Sequence, residues 1–247
     1  MSDTPSSSFK RESLPSYELA KLQHDWLQSA RSRLLRRANI AQRKRILEIG
    51  AGWGFAAEEL GERSGGRVTA IDPNQDAIDQ RTSGKQIRHL EARAEQLPFE
   101  DESFDLVFFQ FTLLWVDHPE EAIAEASRVL APGGAITAIE PDYGGLMEYP
   151  PEVAVAPIWI STLFRARAHP LIGREVPDLL RQQKLQVEVQ FPDRYEPADA
   201  ARFDFLKELT LTDTELERVN SAIAASEDSA DASTVHLPLW MVIGNKG

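Results

Sequence analysis

The sequence predicts an α/β fold built on a parallel, doubly wound sheet. Three observations carry that expectation. Residues 46–63 read as strand, glycine turn and helix in direct succession: Ile46-Leu-Glu-Ile49, glycines at 50, 52 and 54, then an alanine-rich amphipathic stretch from Phe55 to Arg63. Strand-like apolar runs then alternate with amphipathic segments up to about residue 142, the rhythm of strand–helix–strand units. The run Phe104-Asp-Leu-Val-Phe-Phe-Gln-Phe111 is nearly all apolar, as a strand covered on both faces must be.

The elements follow in order. Residues 1–15 are rich in Ser and Pro and read as a disordered tail, leaving 16–247 as a single domain. Tyr17 to Ala38 reads as one helix with a broken apolar stripe of Leu19, Leu22, Trp26, Leu27, Leu34 and Leu35, so residues 16–45 form an N-terminal helical cap. Strands are expected at Arg45–Ile49 and Val68–Ile71, a short helix at Pro73–Gln80, and a third strand near Ile87–Glu91. A loop over 92–103 leads to the apolar fourth strand. Pro119 suits a first helical position, Glu120 and Glu121 the first turn and Arg128 the last, with Ala122, Ile123, Ala126, Val129 and Leu130 on one face. His118 is then a helix-start residue capped by the Asp117 carboxylate. Pro132-Gly133-Gly134 ends the helix, and a fifth strand runs Ala135–Ile139.

Beyond residue 142 the rhythm changes. Residues 146–157 carry three prolines and read as irregular. Helices are expected at Ile158–Ala168, Arg174–Gln183 and Pro197–Leu209, with strands at Val187–Phe191 and Val235–Ile243. Thr212 and Glu215 form a capping box for one further helix. The organisation is therefore a cap (16–45), a core (46–142), a helical lid inserted after the fifth strand (143–185) and a C-terminal part completing the sheet (186–247).

Composition narrows the chemistry. Of 247 residues 42% are hydrophobic, enough for a full core, and no apolar run reaches the length of a membrane span. There are no cysteines, which removes disulfides, thiolate metal sites and cysteine nucleophiles and points to the cytoplasm. The Ser-rich N-terminus lacks the pattern of a secretory leader. A net charge of −12 repels phosphate backbones, so neither nucleic acid nor a membrane is an expected partner. The stretch 31–45 is the local exception, with seven basic residues and no acids, and reads as a solvated helix face and linker.

The chemistry concentrates in the glycine turn. Glycine lets the backbone bend sharply and lets a ligand lie against it. The helix that follows aims its unpaired N–H groups into the bend. Asp72, about 20 positions past the first glycine and at the end of the next strand, suits hydrogen bonding to a ribose. A dinucleotide fingerprint, G-x-G-x-x-G/A, fails when counted from Gly50 because Phe55 takes the third place. Counted from Gly52 it finds Ala57 but starts two residues late. A nicotinamide oxidoreductase is thus a weaker reading than a G-x-G-x-G ligand turn. A turn that binds nothing is the plainest alternative.

The turn resembles the first motif of the class I S-adenosylmethionine-dependent methyltransferases. Ala94-Glu-Gln-Leu-Pro-Phe99 with Ser103-Phe-Asp105, and Arg128-Val-Leu-Ala-Pro-Gly-Gly134, are similar to that family's loop, fourth strand and pre-strand segment, in the manner of its small-molecule, "type 11"-like members. The resemblance covers about 46–142. It implies a Rossmann-like, seven-stranded sheet whose last strand, near 235–243, runs antiparallel. It also implies an enzyme that takes S-adenosyl-L-methionine. Roles carry over by position. Gly50, Ala51, Gly52, Trp53 and Gly54 lie against the methionine portion, and Glu48 holds its amino group. Asp72 takes the ribose hydroxyls with Pro73 beside the adenine. Ala94 and Glu95 meet the adenine edge, and Gln110 and Phe111 border the sulfonium. One position departs: many relatives have Asp where Arg93 stands, and arginine has no acceptor for the adenine amino group, so Arg93 is expected to point to solvent.

No residue announces itself as a base. His118, Asp142 and Tyr143 are weak catalytic candidates because they follow strands four and five. Tyr17, Trp26, Tyr143, Tyr149 and Trp159 are candidate acceptor contacts, with His24 also on the cap helix; His89 and His236 read as structural. Gly144-Gly145 and Gly173 bracket the lid as possible hinges. No cluster of three metal ligands is evident, so no metal is expected. The expected activity is methyl transfer to a small, partly apolar acceptor. The alternative is a non-catalytic cofactor-binding or partner-binding protein on the same scaffold.

Overall fold

The computed structural model describes residues 14–74, 86–192, 200–228 and 233–247. The cap is two helices rather than one: α1 (Tyr17–Trp26) and α2 (Gln28–Arg37) meet at Leu27. The core follows as β1 (Arg45–Ile49), α3 (Phe55–Ser64), β2 (Arg67–Asp72), β3 (Ile87–Glu91), β4 (Phe104–Gln110), α4 (Pro119–Val129) and β5 (Leu130–Pro141). Then come β6 (Met147–Tyr149), α5 (Ala156–Arg165), α6 (Ile172–Gln182), β7 (Gln186–Gln190), α7 (Ala201–Lys207), α8 (Asp213–Asp228), β8 (Thr234–His236) and β9 (Leu239–Asn245). The helix expected at 73–80 lies outside the described residues except for its first two positions, as do residues 1–13 of the tail and the start of the helix expected at 197.

Seven strands form one sheet in the order β3-β2-β1-β4-β5-β9-β7. The first five are parallel, and β9 runs antiparallel to both β5 and β7. The antiparallel strand is therefore the last in sequence but not at the edge. The chain steps outward from β1 to β3, then returns to β4 on the other side. Ligand crevices in open α/β sheets form at such a reversal, here beyond the carboxyl ends of β1 and β4.

Strand alternation splits the core into two layers. Leu47, Ile49, Val107, Phe109, Ile136 and Ala138 face α4 and α6; Ile46, Leu106, Phe108, Ala135 and Ile139 face α2 and α3. Every one of these side chains is essentially sealed from solvent. The α4 stripe of Ala122, Ile123, Ala126 and Val129 is buried as its periodicity required.

Several local expectations need correction. The strand expected over 235–243 is two: β8 leaves the sheet to pair with β6 in a separate antiparallel ribbon, and Pro238, which cannot donate to a ladder, separates it from β9. α6, expected as part of the lid, buries Ile172, Val176 and Leu180 against the sheet and belongs to the core. Gly173 is no hinge: a Cβ there would sit 2.7 Å from Trp240 Cδ1 and 2.8 Å from the Glu140 carbonyl oxygen. Gly144 and Gly145 are likewise pressed against Leu171 and Pro238. The basic stretch is not wholly a solvated face, because Arg31 is fully buried. It donates from Nε to Glu59 Oε2 at 2.6 Å, and Glu59 Oε1 also accepts from Arg63 at 2.7 Å. An enclosed charge persists only with such compensation.

Candidate active site

At the end of β1 the chain turns through three left-handed glycines, with φ of 73° at Gly50, 49° at Gly52 and 83° at Gly54. Gly50 has a second reason to lack a side chain, since a Cβ would lie 2.3 Å from Thr112 Cγ2. Gly54 caps α3. Asp72, buried at the end of β2, locks the turn: its Oδ2 accepts from Gly52 N at 2.7 Å and its Oδ1 from Asn74 N at 2.9 Å. Its carboxylate is thus pre-oriented at the lip of the crevice. Glu48, buried on β1, lines the same space.

The end of β4 forms the opposite wall. Phe111 adopts φ 51°, an uncommon conformation for a bulky residue, held by its N–H bonding to Ile139 O at 2.9 Å. The next three amides are gathered by one side chain. Glu140, fully buried at the end of β5, accepts from Thr112 N at 3.0 Å and Leu113 N at 2.9 Å on Oε1, and from Leu114 N at 3.4 Å on Oε2. Burial pushes its pKa up to about 7 despite those three donors. Gln110 is also fixed, its Oε1 accepting from Arg31 Nη1 at 3.1 Å. Arg31 Nη2 lies 3.2 Å from His24 Nε2. Burial, then the Arg31 charge, lowers the His24 pKa, so the ring is neutral and Nε2 accepts. Its proton then sits on Nδ1, which is buried and has no hydrogen-bond partner among the described residues.

The cap closes the top. Trp53 Nε1 donates to Pro15 O at 2.9 Å, Tyr17 packs edge-on against Trp53 and tilted on Phe55, and Trp26 stands edge-on to Phe111. Beneath lies a cavity of about 1180 Å³. That exceeds the roughly 300–1,000 Å³ of a single small-molecule site and leaves room for two molecules. One end is the glycine turn with Asp72, Pro73, Ala94 and Glu95. The other is an aromatic and aliphatic chamber of Leu114, Trp115, Tyr143, Leu146, Trp159, Leu163, Phe205 and Leu237. Tyr143 stacks on Trp159 at 5.0 Å between ring centroids. Gln110 and Phe111, at the end of β4, line the same cavity.

Glu48, Gly50, Ala51, Gly52, Trp53, Asp72, Pro73, Ala94, Glu95, Gln110 and Phe111 all line this cavity, as do Trp26, Tyr143 and Trp159. Gly54 instead begins the helix. Tyr17 does not line it but buttresses the turn from outside. Tyr149, expected as an acceptor contact, is 64% exposed on the β6–β8 ribbon and does not line the cavity. Two of the catalytic candidates also lie outside the cavity. Asp142 is consumed by a two-point ion pair with Arg174, at 2.7 Å to each oxygen. His118 is 60% exposed and starts α4, with no cap from Asp117, whose Oδ2 instead accepts from Arg93 at 2.9 Å. Tyr143 lines the cavity, and burial raises its pKa, which keeps the phenol protonated. Arg93 is half-exposed at the rim, paired with Asp117 rather than aimed at a base edge. Glu140, Arg31 and Thr112 were not legible as site residues. A lone Glu at a strand end and an Arg in a basic run carry no motif.

Residues 47–138 match the family described as a methyltransferase domain. This segment is a class I methyltransferase domain. Its family's cofactor is S-adenosylmethionine. A ubiquinone/menaquinone biosynthesis C-methyltransferase (UbiE) of Bordetella avium is 37% identical over 111 residues, covering 42% of this chain and 43% of that protein. A demethylmenaquinone methyltransferase of Thermus thermophilus is 35% identical over 136 residues, covering 53% and 58%. The matches thus span about half the length of these relatives. Among solved structures, a putative methyltransferase from an antibiotic biosynthesis pathway of Anabaena variabilis superposes with a TM-score of 0.64 at 16% identity, over 85% of this chain and 97% of that one. The [4+2]-cyclase SpnF superposes at 0.57 with 16% identity, over 87% and 79%. These two show the shared fold alone. No described helix is long and apolar enough to cross a membrane.

Proposed function

We propose that this protein transfers the methyl group of S-adenosylmethionine to a small, partly apolar acceptor. The observation that carries the reading is one cavity lined both by a glycine turn with a pre-oriented aspartate and by a set of aromatic and aliphatic side chains. The residues fit the cofactor. The left-handed turn offers backbone that no side chain shields, Asp72 presents acceptors for ribose hydroxyls, Glu48 suits an ammonium group, and His24 Nδ1 is a buried polar atom with no described partner. Pro73, Ala94 and Glu95 would flank the adenine.

When bound, S-adenosylmethionine would supply an electrophilic methyl group on a sulfonium, held by the glycine turn, Asp72 and Glu48, and would depart as a neutral thioether once the acceptor had taken the methyl group. What the chain contributes is position and dryness. Arg31 fixes the Gln110 amide, and Glu140 fixes the backbone from Thr112 to Leu114. Trp26, Tyr143 and Trp159 wall the acceptor, while α1 and residues 143–168 shut out water as a lid. The phenol of Tyr143 can donate to an acceptor oxygen. No group is assigned as a base, and acceptors whose nucleophile is already ionised or carbon-centred need none.

The test is calorimetry with S-adenosylmethionine and its demethylated product, then a screen of acceptors with labelled cofactor. Binding is expected, and Asp72→Ala should weaken it by about 1–3 kcal/mol, the cost of stranding buried hydroxyls. No binding by the wild type, or an unaffected mutant, sinks the proposal. Binding without turnover on any acceptor favours a non-catalytic role on the same scaffold.

A further inference from the structure

Arg31 of α2 is fully buried and does not line the cavity, yet it holds two residues that do. Its charge is met by Glu59, which accepts from Nε at 2.6 Å. That leaves the rest of the planar guanidinium fork for neutral acceptors. Nη1 donates to the His24 carbonyl and to Gln110 Oε1, at 3.1 Å each, and Nη2 lies 3.2 Å from His24 Nε2. One rigid group therefore sets the Gln110 amide and the His24 ring side by side.

A guanidinium carries donors only, so it fixes the polarity of whatever it holds. Gln110 must turn its oxygen to Arg31, which settles the two otherwise interchangeable ends of the amide. Its NH2 group then points away from Arg31. Nε2 donates to no described residue and is not enclosed by protein, and the open space beside Gln110 is the cavity. His24 follows the same rule, accepting at Nε2 and carrying its proton on Nδ1. The Tyr143 phenol on the aromatic wall is a further donor with no described partner.

We infer that Arg31 is a positioning residue that makes Gln110 a fixed hydrogen-bond donor of the acceptor site, and that the methyl acceptor presents an oxygen without a hydrogen there: a ketone, a carboxylate or another oxyanion. The inference rests on the methyl-transfer reading for one step, the place of Gln110 beside the sulfonium. A sulfonium is positive and offers an N–H no acceptor, so the partner of the amide is the molecule that approaches the methyl group. An acceptor with only hydrocarbon at that point strands the amide on binding. The preference for oxygen can be measured without turnover.

The experiment uses the full chain and three naphthalenes of one shape, carrying a methyl ketone, a carboxylate or an isopropyl group at the same ring position. Their affinities are read by ligand-detected NMR with S-adenosylhomocysteine present. In Gln110→Glu the side chain still accepts from Arg31 but has no N–H to donate. The ketone and the carboxylate should weaken about fivefold or more, while the isopropyl probe and S-adenosylhomocysteine stay within about twofold. Arg31→Lys keeps a charge beside Glu59 and loses the fork, and should weaken the ketone by a similar factor. Isotope-labelled wild type gives a reading that no substitution can spoil by unfolding. The Gln110 side-chain amide should shift on adding the ketone and not the isopropyl probe, and His24 should be protonated on Nδ1. An unmoved amide, or His24 protonated on Nε2, overturns the inference. So do equal losses for all three probes in folded Gln110→Glu, no loss for any, and failure of both oxygen probes to bind the wild type. A loss confined to S-adenosylhomocysteine gives the amide to the cofactor and overturns it as well. Failure of the wild type to bind S-adenosylhomocysteine is a separate result that overturns the methyl-transfer reading instead.

Discussion

Replacing Glu140 by alanine strands three backbone donors at the point where β4 hands over to the cavity wall. Two of the bonds are well made, to Thr112 N and Leu113 N, and the third, to Leu114 N at 3.4 Å, is long. At about 1–3 kcal/mol for each well-bonded buried amide left without an acceptor, the loss is roughly 2–6 kcal/mol. The same substitution removes a buried carboxyl whose pKa is pushed up from 4.5 to about 7. A carboxyl with a raised folded pKa binds its proton more tightly in the native state. Its stabilising contribution is full below the unfolded value and is lost as pH rises through the folded one. At about 1.4 kcal/mol per pH unit, Glu140 gives the native state about 2–3 kcal/mol more at pH 5 than at pH 8. Glu140→Ala should therefore cost more at pH 5 than at pH 8, by that difference. Urea unfolding at the two pH values measures it, and cofactor calorimetry should show weakened binding as Gln110 to Leu114 loosens. A loss below about 1 kcal/mol at pH 5, or the same loss at both pH values, refutes the reasoning.

Three other outcomes are expected. Gly50→Ala places a Cβ 2.3 Å from Thr112 Cγ2 in a left-handed conformation, and should destabilise the fold by about 2–4 kcal/mol and abolish cofactor binding, as melting and calorimetry would report. Trp159→Phe, which keeps an aromatic ring against Tyr143, should lower acceptor turnover with cofactor affinity intact, whereas Tyr149→Ala should leave both unchanged; the opposite pattern would move the acceptor wall to the ribbon. Activity on an identified acceptor should survive chelator treatment, since the described residues hold no group of three or more metal-ligating side chains; loss restored by added magnesium or zinc would contradict this.

Local chemistry made much of the fold legible. The G-x-G-x-G turn, the apolar β4 and the Pro119 helix start each rest on constraints acting within a few residues, so β1 to β4 appear where the pattern placed them, while β5 already begins at Leu130 and takes in the Pro132-Gly133-Gly134 stretch expected to end the helix. The turn also located one wall of the cavity, because glycine spacing and the acid that ends β2 are both sequence-local.

The sequence alone determined the class of fold, the turn and the residues along the strand ends. What only the tertiary structure decided was which side chains face the crevice. Asp142 and Tyr143 are neighbours in the chain, yet one is held by Arg174 and the other is stacked on Trp159 in the chamber. Glu140 meets Thr112, and Arg31 meets Gln110, across 28 and 79 residues. The split of β8 from β9, and the docking of α6 on the sheet rather than over the lid, likewise depend on partners distant in sequence. Burial and pairing are properties of a neighbourhood assembled from several elements, and a linear pattern holds no record of which element comes to rest against which.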